Sequence, residues 1–517
     1  MGTEELPHPQ AGPHRHRAGL ALVAFLAGGA VLAQEILAAG WIAPLYGSGV
    51  DVWAVILAAS LLALAVGAWL GSLTVRFVDG TARILDVLVL GAAVLAVGAF
   101  LVARADPADP PPLALVAKLL LGPPLVAFGM LSPWIVDRWA ATGVRPGKAA
   151  GLTYAAGTLG SAGGALVTGL VLVPGCGLRG STLVLGAALG VGAVGAALLA
   201  GGARRRAVLL AVGLGAVLFA STRLAPDTAS GEGPFGLRRV ERVDGFYGRH
   251  EVLEDDVSRY LLVDGVLQTS ASLHEVGPVA PGALLAAGNA LELALWLRPD
   301  AGRALVIGLG GAALPRRLGE AGWAVEAVEI DPVVVDLARR HFGADLPVAI
   351  EDGRRFLNRS TAAWDLIVLD VYRGEHLPGH LFTEEAFTAV GRRLAPNGLL
   401  AVNLIGTATD DDVLAVVRAV HSAFPNVRLD APDGGAALTP MTLFASRAPV
   451  AIDSSRDRAA AEGVAWPIPV DLDALPWEDA PRLTDDLNPL VLLRRETAQA
   501  WRLLSRRRFA LMEQETP

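Results

Sequence analysis

The chain has 517 residues, of which 53% are hydrophobic and 18% charged, enough for two or three domains. Its formal net charge of -8 argues against a nonspecific nucleic-acid binder, and no nucleic acid is expected as a partner. The single cysteine, Cys176, excludes an internal disulfide and a cysteine-built metal cluster; between Gly175 and Gly177 it reads as a membrane-edge residue.

Residues 1–17 read as a polar cytoplasmic tail. From there to 222 the chain is crowded with Ala, Leu, Gly and Val, in segments near the roughly 20 apolar residues that a bilayer span needs. Spans are expected at 18–41, 51–75, 84–103, 112–136, 149–173, 181–202 and 207–222, the last one short. That makes a membrane domain of six or seven helices over 18–222. Arg15 and Arg17, then Arg76 and Arg83, then Arg138, Arg145 and Lys148, then Arg204, Arg205 and Arg206 fall on alternate connections, which places the N-terminus inside. Seven spans would leave the remainder outside. A site for a cytosolic cofactor instead puts the soluble part in the cytoplasm, with 207–222 failing to cross.

Three features of this half stand out. Glu35 and Lys118 lie deep in the first and fourth spans, at matched depth, and are expected to pair; a transport or substrate site is the alternative. Gly157 with Ser161, and Gly160 with Gly164, form small-residue faces suited to close helix packing. Pro123, Pro124 and Pro133 predict a kink in the fourth span.

The soluble half opens with a small β region over 235–280, where "RHEVLEDD" and "RYLLVDGVLQTS" read as strands. Residues 282–297 carry helical periodicity. Beyond Pro299, strands are expected at 303–308, 325–330, 347–350, 365–370 and 398–405, with helices around 312–321, 332–341 and 383–394. "VRLD" and "MTLFASRA" add strands, the final one antiparallel. The pattern is an open, mostly parallel α/β sheet with helices on both faces, a Rossmann-like domain over 281–450. A C-terminal extension follows over 451–517.

The ligand of such a sheet lies beyond the C-terminal strand ends. Gly308, Gly310 and Gly311 form the first loop, where the backbone must turn sharply and approach a ligand. Glu329 closes the second strand and can accept from ribose hydroxyls; Asp352 closes the third and can reach an adenine amino group. Asp370 closes the fourth, near the centre of the crevice. Acids at successive strand ends point to an adenosyl-bearing sulfonium cofactor. "GLGGAA" also fits the dinucleotide fingerprint, so an NAD-linked enzyme and a purely structural glycine turn stay open. No metal is expected: His250, His274, His341, His376 and His380 are scattered. His376 and His380 fit either a mobile loop over the crevice or a solvated connection.

These stretches resemble the spermidine synthase family, including its membrane-fused bacterial members, over roughly 240–490. "VEAVEIDPVVVDLARRHF" is similar to the family's ribose-binding stretch and "EDGRRFL" to its adenine-side segment, which carries those roles to Glu329 and Asp352. "YLLVDGVLQTS" resembles the substrate-gating segment, with Gln268 at a ligand-contacting position, and His274 and Glu275 resemble the segment after it, where Leu273 stands for the usual tyrosine. "LTDDLNPL" looks like the tail of membrane-fused members. Two departures touch the chemistry. The family reads G-G-G-D-G in the first loop, and Gly311 stands at the acidic position. It reads D-S-S-D-P after the fourth strand, where this chain reads "DVYRG": Asp370 remains and Arg373 replaces the second acid.

The resemblance implies a multi-pass α-helical membrane domain fused to a small β domain and an α/β Rossmann-like, methyltransferase-type domain. The first expected activity is aminopropyl transfer from decarboxylated S-adenosylmethionine to an amine, with Asp370 catalytic and Tyr372 and Arg373 on the acceptor side. The second is methyl or other alkyl transfer from intact S-adenosylmethionine, whose carboxylate would suit Arg373. The third is a non-catalytic membrane sensor of a polyamine or adenosyl ligand. Expected partners are a small amine or other small-molecule acceptor and the lipid bilayer, with homo-oligomerisation left open.

Overall fold

The computed structural model describes residues 13–46, 50–77, 112–199, 231–232, 237–273, 290–450 and 452–515. The expected spans at 84–103 and 207–222 lie outside them, as do His274, Glu275 and the first half of the expected helix at 282–297. The chain divides into two compact units, residues 1–228 with 244–248, and residues 229–243 with 249–517.

The described residues of the first unit before 200 are mainly helical. Its helices are α1 (Pro13–Tyr46), α2 (Val50–Thr74), α3 (Leu113–Ala141), α4 (Pro146–Val167) and α5 (Val173–Leu199). Among the described residues four helical stretches are long and apolar enough to cross a membrane: Arg17–Ala43, Val52–Thr74, Leu113–Ala141 and Pro146–Leu189. The last joins two expected spans. A π-helical turn, Thr168–Leu172, links α4 to α5, and Gly177, at φ 66° and ψ 175°, interrupts α5 without a polar loop.

Glycine lets these helices touch backbone to backbone. A Cβ on Gly28 would lie 2.0 Å from the Gly157 carbonyl oxygen, and one on Gly160 would lie 1.9 Å from that of Phe25. Ser161 adds a hydrogen bond to the Gly28 carbonyl at 2.9 Å. The small-residue face of α4 therefore packs on α1. Pro123, Pro124 and Pro133 all sit within the one helix α3. The expected Glu35–Lys118 pair does not form. Glu35 is buried and Lys118 is exposed on α3, so one depth along two helices did not mean one shared face.

In the second unit, a five-stranded sheet runs β1 (Gly231–Glu232), β2 (Arg238–Gly245), β3 (Gly248–Glu254), β4 (Ser258–Val263) and β5 (Val266–Ser272) in sequence order. A second sheet has eight strands: β6 (Arg303–Ile307), β7 (Ala324–Glu329), β8 (Val348–Ile350), β9 (Trp364–Leu369), β10 (Leu394–Gly406), β11 (Asn426–Ala431), β12 (Thr439–Ser446) and β13 (Ile468–Pro469). Their spatial order is β13-β11-β12-β10-β9-β6-β7-β8. Strands β6 to β10 pair in parallel, and β12 lies antiparallel between β10 and β11. This is a Rossmann-like, methyltransferase-type sheet. Runs such as Leu366 to Leu369 are buried, as parallel strands covered on both faces require.

The helices are set by local signals. Asp331 caps α7 (Pro332–Phe342) by accepting from the Val333 amide, and Gly343, at φ 65°, ends it. Asp352 and Thr383 cap α8 (Gly353–Arg359) and α9 (Glu384–Arg393) in the same way. Between β6 and β7 runs α6 (Ala313–Glu320). Three further helices, α8, α10 (Asp411–His421) and the C-terminal α12 (Arg495–Glu515), were not among the expected elements; α11 (Ile452–Ala461) belongs to the extension as well.

Candidate active site

The sheet order reverses between β6 and β9, since one neighbour of β6 follows it in sequence and the other comes three strands later. At such a switch point the connections leave in opposite directions and open a crevice. Gly308 follows β6 and Asp370 follows β9. Their backbones interlock: Asp370 N–H donates to the Ile307 carbonyl at 2.9 Å, and a Cβ on Gly308 (φ 96°) would lie 1.9 Å from the Asp370 carbonyl oxygen. Only glycine meets both demands here.

Glu329, at the end of β7, holds the glycine loop. One carboxylate oxygen accepts from Leu309 N–H at 3.0 Å and the other from Asp331 N–H at 2.9 Å. Burial pushes this carboxyl above its ordinary value despite those two amides. Each oxygen retains a lone pair, so the carboxylate can still accept from a vicinal diol. Gly310 (φ 51°) and Gly311 press against Thr269 of β5, whose hydroxyl accepts from Gly311 N–H at 3.0 Å. The small sheet thus lies directly on the glycine loop.

Asp352 stands at the end of β8. One oxygen caps α8 through Arg355 N–H at 2.9 Å, and the other meets His380 Nε2 at 2.7 Å. Burial would raise this carboxyl, but the Arg355 amide and His380 outweigh it and hold it below the ordinary range. His380 also lines a cleft of about 440 Å³ with Arg354, Thr383, Asp485 and Asn488. The late motif "LTDDLNPL" therefore packs beside His380, the partner of Asp352.

Asp370 is half-buried, and Asn403 Nδ2 on β10 donates to its Oδ1 at 2.7 Å. Burial pushes Asp370 up, and Asn403 opposes that only in part. After Asp370 the chain turns back on itself, with Arg373 and His376 exchanging backbone hydrogen bonds of 2.9 and 3.1 Å. Gln268 reaches this turn through the Gly374 carbonyl at 3.3 Å. The Arg373 side chain is exposed. Tyr372 lies under the guanidinium of Arg494, 5.3 Å from its ring centroid, and burial pushes its phenol up.

The structure thus brings Gly308, Gly310, Gly311, Glu329 and Asp370 together, with Gln268 against the adjoining turn and Asp352 at the next strand end. His376 and His380 do separate work: the first faces Glu375 at 3.3 Å and the second faces Asp352. Sequence reasoning missed Thr269, Asn403 and a set of buried charges from the C-terminal extension. Arg494 donates to the Glu375 and Ile405 carbonyls and to Asp412 at 2.7 Å. Arg502 pairs with Glu375 at 2.5 Å. A polar Asn inside the apolar run "LLAVNLIG" was the one readable signal for Asn403. Among the described residues no cluster of His, Cys, Asp and Glu could hold a metal ion.

No protein-family model matches the chain. It is 37% identical over 174 residues to an N-terminal histidine N-methyltransferase of Emericella nidulans, covering 31% of this chain and 31% of that protein. Among solved structures, a probable spermidine synthase from Corynebacterium glutamicum aligns with a TM-score of 0.40 at 18% identity, covering 51% of this chain and 98% of that one. A polyamine aminopropyltransferase of Vibrio vulnificus is 30% identical over 217 residues, 39% of this chain and 72% of that enzyme. On that coverage of the Vibrio enzyme, the chain belongs to the spermidine synthase (polyamine aminopropyltransferase) family.

Proposed function

We propose that this chain is a transferase that moves an alkyl group from an adenosyl sulfonium to an amine, and that the group is the aminopropyl of decarboxylated S-adenosylmethionine. The observation that carries the reading is Asp370, held by Asn403 at the switch point and interlocked with Gly308. The residues fit the co-substrate. Glu329 keeps lone pairs that suit two ribose hydroxyls, Asp352 beyond the next strand suits an adenine amino group, and Gly308 lets the first loop turn tightly against the Asp370 backbone.

The co-substrate supplies an electrophilic carbon beside its sulfonium. An acceptor amine attacks that carbon through its lone pair, and the carbon–sulfur bond breaks toward sulfur to leave a thioether. Asp370 orients the amine and takes the proton it sheds. Alignment and removal of water from the amine provide most of the rate.

A second reading, methyl transfer from intact S-adenosylmethionine, has its own support. Gly311 stands where the family holds the aminopropyl amine with an acid, and its N–H is engaged by Thr269. Glu375, the next acid after Asp370, is neutralised by Arg502. The fungal relative is by name an N-methyltransferase. We place the protein in the cell membrane, on the support of its four long apolar helices, with its N-terminus inside on the support of the Arg and Lys distribution and the transferase on the cytoplasmic side on the support of a cytosolic co-substrate.

The test is to incubate the full chain with each cofactor and a panel of amines, and to read products by mass spectrometry. Aminopropylated amine with methylthioadenosine supports the first reading. Methylated amine with S-adenosylhomocysteine supports the second. Neither product, with binding intact, sinks both.

A further inference from the structure

The helical unit contains an acid that the transferase chemistry does not use. Glu35 on α1 is 6% exposed, and Lys118, the base at matching depth, is exposed on α3 and does not reach it. The hydroxyl of Ser60 on α2 stands beside the Glu35 carboxyl. Gln34 donates through Nε2 to the Leu120 carbonyl of α3 at 3.3 Å, which leaves its own Oε1 buried without a partner. The Ser60 oxygen is likewise buried and meets no hydrogen bond of good geometry.

These groups share one level of the bundle. Helices α2 and α3 pack in parallel: Gly67 lies against Val126 and Gly129, and Gly71 against Met130 and Pro133. The same register, followed back along both helices, sets Ser60 level with Leu120. From α1, Gln34 reaches α3 and Glu35 reaches α2 at that height. The surroundings, Ala38, Ile56, Ala63 and Leu121, are apolar and buried.

An ionised carboxylate in apolar surroundings is strongly disfavoured unless a positive charge meets it. The described residues provide none. Beside it stands the Ser60 hydroxyl, whose oxygen keeps lone pairs, and the buried Oε1 of the adjoining Gln34 has no donor. Oxygens whose lone pairs outnumber the donors around them make a site for a cation, and a single carboxyl group sets its charge at one. We propose that Glu35, with Gln34 and Ser60, binds a monovalent cation within the helical unit. A proton, a sodium ion and a protonated alkylamine share this chemistry, and all three can be offered separately.

The full chain in phosphatidylcholine vesicles is the material, and the infrared carboxyl bands are the readout, with Glu35→Gln as the difference control. At neutral pH a band that depends on Glu35 should respond to at least one of three changes: a small pH step, addition of sodium chloride, or addition of methylammonium chloride. A protonated-carboxyl band that moves with pH alone names the proton. A carboxylate band shifted by sodium or by methylammonium names that ion. Ser60→Ala keeps the carboxyl and should weaken the response about tenfold, as loss of one hydrogen bond to a charged group does. Its measurement stands even if Glu35→Gln fails to fold. An unresponsive Glu35 band overturns the proposal. So does a response that survives in folded Glu35→Gln or is unaltered in Ser60→Ala.

Discussion

Arg502 on the C-terminal helix pairs with Glu375 in the turn after Asp370, at 2.5 Å, with both side chains almost wholly excluded from solvent. The other arm of the guanidinium donates to the Asp264 carbonyl in the β4–β5 turn at 3.0 Å. One side chain thus ties the end of the chain to the turn that follows Asp370 and to the hairpin that leads into Gln268. Removing one member of a buried pair strands the other, at a cost of about 3–5 kcal/mol, whereas replacing both with apolar groups is far milder. Arg502→Ala should lower thermal stability of the detergent-solubilised chain strongly, and Arg502→Met with Glu375→Leu should recover most of the loss. Equal losses in both would show that the pair carries none of the stability.

The same pair sets an acid limit. Burial alone would push the Glu375 carboxyl up, but Arg502 and His376 outweigh it and hold it at about 2. A carboxyl depressed in the folded state stabilises fully above its unfolded value, near 4.3, and loses that contribution as pH falls toward the folded value. About 3 kcal/mol should therefore disappear between roughly pH 4.5 and pH 2. Glu375→Gln should flatten the stability profile in that window, and an unchanged acid slope would refute the assignment.

Glu329 has two duties, and they can be separated. Its carboxylate fastens Leu309 N–H and Asp331 N–H, and it is also the group assigned to the ribose. Glu329→Ala frees two amides, at about 1–3 kcal/mol each if they stay buried. Calorimetry with S-adenosylhomocysteine should show a loss of affinity beyond that of a Leu309 loop variant with equal stability. Undiminished affinity in folded Glu329→Ala would leave only the structural duty.

The glycine loop and the acids at the strand ends were legible because each is a local pattern: a strand, a turn residue and an acid within a few positions. Gly308, Glu329, Asp352 and Asp370 could be placed at strand ends from alternation alone. The buried charges could not. Arg494 meets Glu375 and Arg502 meets Glu375 across 119 and 127 residues, and nothing near either arginine marks it as core rather than surface. Glu35 and Lys118 failed for a related reason. Depth along a helix follows from sequence position, but which face turns inward depends on neighbours that the pattern does not name. Arg373 shows the limit at the site itself: the motif located the residue, and its side chain is exposed.

Arg373 also separates the two transfer chemistries. If its guanidinium meets the carboxylate of intact S-adenosylmethionine, that cofactor should bind about tenfold more tightly than the decarboxylated form. Arg373→Asp should reverse the order, because it removes an attraction and adds a repulsion. Affinities that stay unchanged would mark Arg373 as a solvated turn residue and favour aminopropyl transfer.

Asn403 tests whether Asp370 handles the proton. Its amide donates to Asp370 Oδ1 at 2.7 Å and so favours the ionised carboxylate, against burial that pushes the carboxyl up. A proton acceptor works only when ionised, so the acid limb of kcat follows the Asp370 value. Activity is present above that value and is lost as pH falls through it. Asn403→Leu removes the opposing hydrogen bond, leaves burial in place, and should move the limb to higher pH. At alkaline pH, where Asp370 is ionised in either protein, kcat should return toward that of the unaltered chain. Asp370→Asn should erase the limb and lower kcat by about 10²–10⁴-fold. A uniform fall in Asn403→Leu, with the limb unmoved, would make Asn403 a packing residue and assign the limb to another group. The recovery at alkaline pH is the discriminating measurement, because a damaged fold would not regain activity when a single carboxyl ionises.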